Sequence, residues 1–407
     1  MSRAPLQVDV LVVGAGPAGS ATAAWLAEAG RRVVLIDRAR FPRDKPCAEY
    51  MSPETLRWLD RLGVLGELEA AGGSPVRGTT VVGPYGARLS GRFAEAHPRP
   101  FRNTGLAISR RILDHRLILR AAAAGAAVHE DTSMVELLHT GTAVSGAMVR
   151  KAGGEPQRID ARLTVGADGL RSLVARRIGT RRFGRPRRLA FVAHVAGVRD
   201  MAQAAEMHVG RAGYAGLNPI GADLTNVALV LPQHRAKAAG GRVREFFFQS
   251  LEQFPGIRGR LEPDRLARDV LATGPFSAWS RRVVADGVML VGDAADFFDP
   301  FTGEGICAAL HGAWLAAQTA REALTRPGVA QAADLEPYTS ARAAAFRGKW
   351  AIERLIGHGM AAPRLFDRAV ARIGRRPPMA HTMIGVTGDF VPPRAVLNPW
   401  YLTRMVV

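Results

Sequence analysis

Hydrophobic positions change their spacing along the chain, and the changes mark out elements. Residues 8–13, "VDVLVV", form a short apolar run such as a strand buried on both faces shows. "GAGPAG" follows, and then "SATAAWLAEAG", a helix closed by Gly30. "RVVLIDR" completes a βαβ unit. A helix is expected through "PETLRWLDRLGVLGELEAAG", with Ser52 as N-cap and Pro53 in its first turn. Residues 73–100 alternate and are rich in Gly and Pro, as in an antiparallel excursion. Residues 109–125 read as a helix, followed by a pair of strands. From about 185 to 235 the pattern is strand-like. The segment 240–270 reads as helix-rich, strands are expected at 282–285 and 288–291, and a long helix at about 303–325. Residues 338–407 read as a helical, arginine-rich tail.

The expected fold class is α/β. A Rossmann-like, three-layer domain (1–72, 101–180 and 272–330) is interrupted by a mostly antiparallel substrate sheet (73–100 and 181–271). A helical C-terminal cap (331–407) completes it.

The glycine run gives that domain its chemistry. Gly14 permits a tight turn, Gly16 lets the backbone reach a pyrophosphate, and Gly19 lets helix and strand pack closely. Pro17 and Ala18 open the helix, whose free N–H groups and dipole suit phosphates. Asp37 ends the second strand at the distance where an acid accepts from a ribose, with Arg38 beside it. Two further strand-to-turn signals are "VGADGLRS", which delivers Asp168, and "VGDAADFFDPFTGEGI", which delivers Gly292 and Asp293.

Three such elements around one nucleotide resemble the FAD-dependent monooxygenases of the aromatic-hydroxylase type and their relatives, the geranylgeranyl reductases and flavin-dependent halogenases. The resemblance covers residue 8 to about 325. It implies FAD as cofactor and NAD(P)H as reductant. It also implies Asp37 at the adenosine ribose, Asp293 at the ribityl chain and Arg110 on the phosphate side. Pro300 and the backbone of Thr302, Gly303, Glu304 and Gly305, followed by Ile306, would lie beside the reactive ring, where the helix dipole favours negative charge. The activity implied first is a monooxygenase. It would hydroxylate or epoxidise an aromatic, polyketide or lipid-like molecule through a flavin C4a-hydroperoxide. The alternatives are an FAD-dependent reductase of prenyl or lipid double bonds, and an electron-transfer flavoprotein at a membrane.

Branch signals conflict. "TGEGI" and the cysteine of "KPCAEYMSP" look like the reductase and halogenase branches. The reductase signature P-x-x-Y-x-W-x-F-P has its counterpart in "RAGYAGLNP". Tyr214 and Pro219 survive there, but Gly216 replaces Trp and Asn218 replaces Phe, which opens space over the flavin. Cys47 is a flavin contact or a small buried hydrophobe. Glu49 is a candidate general base, or a salt-bridged acid. Tyr214 and Pro300 are the other catalytic candidates. His194, His208, Tyr214, Asn218, Phe297 and Phe298 are the substrate candidates, with ordinary packing as the competing role for each histidine and phenylalanine.

Charge adds one question. The chain carries 55 Lys and Arg against 36 Asp and Glu, a net +19, and only Lys45, Lys151, Lys237 and Lys349 are lysines. Arginine-biased composition explains this as readily as a functional field. No recognition motif supports nucleic acid as a partner. The expected partner is a hydrophobic or phenolic small molecule, free or carrier-bound, and the expected state is a monomer or homodimer. Two cysteines, Cys47 and Cys307, give no disulfide framework and no metal-ligand spacing. A cytoplasmic location is expected. The basic tail segment "RGKWAIERLIGHGM" is expected to cap the substrate entrance, with peripheral membrane contact as the alternative.

Overall fold

A computed structural model describes residues 5–406. Strand Leu6–Val13 lies at the middle of the main sheet, parallel to Pro156–Gly166 on one side and Val33–Ile36 on the other. Ala127–His129 and Val288–Leu290 extend the parallel core outward. Val10, Leu11 and Val12 have no exposed surface, which explains why this strand reads as an unbroken apolar run. A hairpin of Thr132–Thr140 and Ala143–Lys151 joins the edge of Pro156–Gly166. Helices Pro17–Glu28, Arg110–Ala123 and Gly305–Ala323 pack in the same core.

The second sheet has seven strands, in the order Leu266–Thr273, Arg188–Ala196, Leu224–Pro232, Tyr214–Pro219, Ala205–Val209, Gly78–Val82, Arg88–Arg92. All its pairings are antiparallel except that between Ala205–Val209 and Gly78–Val82. Helices Ala332–Met360, Pro363–Gly374, Pro377–Thr387 and Pro399–Val406 close one side of it.

Two expectations change. The helix expected after Ser52 is two helices, Pro53–Arg61 and Leu65–Ala70, because Gly63 turns the chain at φ +79°. The segment 240–270 holds one longer helix, Val243–Leu251, but ends in the edge strand Leu266–Thr273. That strand is fixed by pairing with Arg188–Ala196, a contact distant in sequence.

Candidate functional site

Gly14 and Gly19 sit where a side chain has no room. A Cβ on Gly14, at φ +103°, would sit 2.5 Å from the Ala167 carbonyl, and one on Gly19 would run into the Gly14 carbonyl. A Cβ on Gly16 would meet only the Arg110 guanidinium, 4.0 Å away, so this glycine keeps open a space faced by positive charge. Asp114 holds that guanidinium with two 2.7 Å hydrogen bonds and also pairs with Arg43 at 2.9 Å. Lys45 lines the same hollow, and burial followed by the nearby Arg110 and Arg43 charges lowers its pKa. Asp37 accepts from the backbone N–H of Ala15 (2.7 Å) and Ala39 (2.9 Å), which ties the second strand to the glycine turn. Arg38 is exposed at this end of the cavity.

Asp168 accepts the N–H groups of Leu173 and Val174 on one oxygen; the other is buried and unpartnered. Asp293 faces the cavity, and burial raises its pKa against the pull of Lys45, Arg110 and Arg181. An orphaned carboxylate oxygen, a glycine facing open space and three converging cations fit a bound diphosphate dinucleotide with hydroxyls on its sugar.

The loop after Asp293 is fastened to the substrate sheet. The Tyr214 hydroxyl donates to Asp299 at 2.5 Å, and Arg188 pairs with the other Asp299 oxygen at 2.5 Å. The Phe301 N–H also donates to Asp299, and the Phe301 ring packs edge-on to Tyr214. Burial, then Asp299, pushes the Tyr214 hydroxyl well up, so it stays protonated. Pro300, Gly303, Gly305 and Ile306 line the cavity. Phe297 packs on Phe276, and Phe298 stacks on Trp279; both phenylalanines reach the cavity.

Glu49 has a different place from a general base. Its side chain is fully buried and does not line the cavity. Its oxygens accept from the Arg110 N–H (2.8 Å) and Asn226 (2.8 Å), lie 2.6 Å from His194 Nε2, and are 3.5 Å from Arg268. His194 is thus a partner of Glu49 rather than a cavity residue. His208 is likewise withdrawn, 2.7 Å from Glu206, which also binds Arg260. Asn218 lines the cavity, but its amide donates to the Ala48 carbonyl (3.0 Å). Its cross-strand neighbour Asn226 donates to the Cys47 carbonyl (2.9 Å). The asparagine pair clamps the 47–49 backbone and leaves Cys47 half-buried in the cavity wall.

One cavity of about 1170 Å³ joins these parts. From the glycine turn it passes Pro300 and Tyr214 and continues between the second sheet and the C-terminal helices. Its far wall is apolar: Val81, Leu89, Met207, Phe366, Val370 and Ile384. A Cβ on Gly216 would find only the Met207 methyl at 3.6 Å and the Glu206 carbonyl at 3.8 Å, so the missing side chain is cavity space. Sequence reasoning had not singled out Asp299, Arg188, Asn226 or Glu353. A polar residue within the apolar strand "LTNVALVLP" was the available signal for Asn226.

Glu304, expected beside the ring through its backbone, carries its side chain elsewhere. Its carboxylate turns away from the cavity to Ser52 (2.8 Å) and Thr55 (3.4 Å), leaving its other oxygen buried without a partner. Lys349 donates to the Glu304 carbonyl and to Asp389, tying the C-terminal helices to the start of helix Gly305–Ala323. Among the described residues, Glu304, Cys307 and Asp389 form the only metal-like cluster, and the Lys349 ammonium already supplies its positive charge. Burial and then Asp389 push Glu304 up to about 8, against an ordinary 4.5. The folded chain therefore holds this proton while the unfolded chain releases it. Stability from this group is complete below pH 4.5 and is lost as pH rises toward 8, by at most about 1.4 kcal/mol per pH unit. Glu304→Gln keeps an acceptor for Ser52 and removes the titration. In thermal unfolding of the FAD-loaded protein, its advantage over wild type should be small near pH 5 and grow by pH 8. An advantage independent of pH would refute the assignment.

The cradle and the chain's relatives together mark an FAD-dependent oxidoreductase. Residues 7–350 match the FAD binding domain family, and the chain belongs to it. Menaquinone reductase of Mycolicibacterium smegmatis is 32% identical over 329 residues, 77% of this chain and 76% of its own. Digeranylgeranylglycerophospholipid reductase of Methanothrix thermoacetophila is 30% identical over 337 residues, 79% of each chain. Among solved structures, the myxobacterial chondrochloren halogenase CndH, a variant FAD-dependent halogenase, superposes with a TM-score of 0.73. It is 26% identical, covering 79% of this chain and 76% of its own.

Proposed function

We propose that this protein is an FAD-dependent reductase that saturates carbon–carbon double bonds in an isoprenoid chain carried by a lipid or quinone. The observation that carries this reading is the largely apolar extension of the cofactor cavity, which gives a long flexible hydrocarbon a path to the reactive ring. Two relatives at about a third identity are reductases of a quinone and of an isoprenoid lipid, which supports the same substrate class.

When bound, FAD accepts two electrons from a reductant such as NAD(P)H and delivers them as a hydride. Saturation adds that hydride to one alkene carbon and a proton to the other, and nothing leaves. The chain's own residues exclude water, orient the alkene and hold the proton. Glu353 faces the cavity, and burial, opposed by Lys349, pushes it up to about 7, so it can both hold and give up a proton near neutral pH. Tyr214 also stays protonated, and it holds the Asp299 loop in register.

Oxygen insertion is the second reading, favoured by the open space at Gly216. One experiment separates the two. FAD-loaded protein is reduced with one equivalent of dithionite and mixed anaerobically with a geranylgeranyl ether lipid, which carries no quinone to take the electrons instead. Reoxidation of the flavin with formation of a dihydro product is expected. A flavin that stays reduced until oxygen is admitted, with oxygen then found in the product, would establish the monooxygenase instead.

A further inference from the structure

The exposed residues that line the cavity fall into two groups. At the cofactor end the exposed lining residues are polar, among them Arg38, Asp44 and Arg171. At the other end they lie around the turn between helices Ala332–Met360 and Pro363–Gly374. Leu355 and Leu365 line the cavity there, yet they are 40% and 49% exposed. His358 and Ala362, also exposed, complete the rim.

Helix Pro363–Gly374 is divided along its length. Phe366, Ala369, Val370 and Ile373 face the cavity. Arg364, Arg368 and Arg372 recur at four-residue intervals, one stripe on a helix, with Arg375 just beyond and Leu365 beside them. Arg354 lies next to Leu355. Among the described residues, the ion pairs that involve the C-terminal helices are Arg326–Asp334, Arg342–Asp296 and Lys349–Asp389, and the stripe takes part in none. The helix's one acid, Asp367, is occupied by the backbone N–H groups of Tyr85 and Ala87. The stripe therefore carries net positive charge beside the exposed leucines. No helix among the described residues is long and apolar enough to cross a membrane.

We infer that the rim formed by Leu355, Leu365 and the Arg364–Arg368–Arg372 stripe docks on the surface of an anionic bilayer, so that a lipid chain enters the cavity without crossing water. The leucines would sink among the acyl chains and the arginines would pair with lipid phosphates. The nature of the chain that enters rests on the reductase reading; the docking itself does not.

Sedimentation of the FAD-loaded protein with vesicles tests it. Strong binding to phosphatidylglycerol–phosphatidylcholine vesicles is expected, weak binding to phosphatidylcholine alone, and release by salt. The triple variant Arg364→Glu, Arg368→Glu, Arg372→Glu should lose affinity by roughly 100-fold, at roughly fivefold or more per arginine. It should still bind FAD and still turn over a short-chain, water-soluble alkene analogue. A control with the same charge change elsewhere, Arg150→Glu, Arg187→Glu, Arg258→Glu, should bind vesicles nearly as wild type does. Equal loss in both triple variants would reduce the effect to net charge and overturn the proposal, as would equal wild-type binding to the two kinds of vesicle. Because sedimentation needs no turnover, docking without double-bond reduction would refute the reductase reading alone, and the reverse result would refute the docking alone.

Discussion

Glu49→Ala is expected to destabilise the protein by about 3–5 kcal/mol, the usual consequence of removing one partner from a buried charged network. The Arg110 N–H, Asn226, His194 and Arg268 all converge on this one carboxylate. Alanine would leave them facing a void. The backbone adds to the cost. Glu49 has φ +57°, a conformation few residues other than glycine or asparagine adopt, and its side-chain contacts help to hold it there. Glu49→Gln should recover part of the loss, because it keeps the shape and His194 can change tautomer to accept from the amide. The two roles for Glu49 make opposite predictions. A general base replaced by glutamine would lose about 10²–10⁴-fold in kcat at little cost in stability. A structural hub should lose stability and FAD occupancy while kcat per bound FAD changes only a few-fold. Denaturant unfolding and single-turnover flavin reoxidation on the same samples decide between them.

The reason this role was not legible in the sequence is distance. Glu49 is 145 residues from His194, 177 from Asn226 and 219 from Arg268. An acid after "KPCA" looks like chemistry until the substrate sheet folds over it. Asn218 shows the same effect. In the motif it stands as a lost aromatic, whereas in the fold its amide fastens the Ala48 carbonyl. The glycine run was legible because its demands are local: a positive φ at Gly14 and a close approach at Gly19 are settled within a few residues and one neighbouring strand. The edge strand Leu266–Thr273 was missed because its state depends on pairing with Arg188–Ala196. The C-terminal segment was legible as helical and basic, but the course of its apolar faces along the cavity was not, since that depends on which sheet edge the helices cover.

That cavity course supports the second large prediction. Ala369 lies on the cavity-facing side of helix Pro363–Gly374, whose Asp367 is anchored to the turn before strand Arg88–Arg92, at the sheet edge remote from the cofactor cradle. Ala369→Trp would place an indole in the hydrocarbon path without touching Gly16, Asp168, Asp299 or Pro300. For a long isoprenoid substrate, kcat/KM should fall by about tenfold to 200-fold, since displacing even a methylene from an apolar site changes discrimination on that scale. A substrate short enough to end before Ala369 should be turned over as in wild type, and the rate of flavin reduction should not change. The loss should therefore depend on chain length, with a break where the hydrocarbon first reaches the new ring. A compact substrate held wholly at the flavin would be indifferent to the change. Kinetics on a ladder of prenyl lengths with wild type and Ala369→Trp would show the break if the cavity guides a chain. A uniform loss at every length would mean that the helix had shifted instead, and no loss at any length would remove the apolar extension from the substrate path.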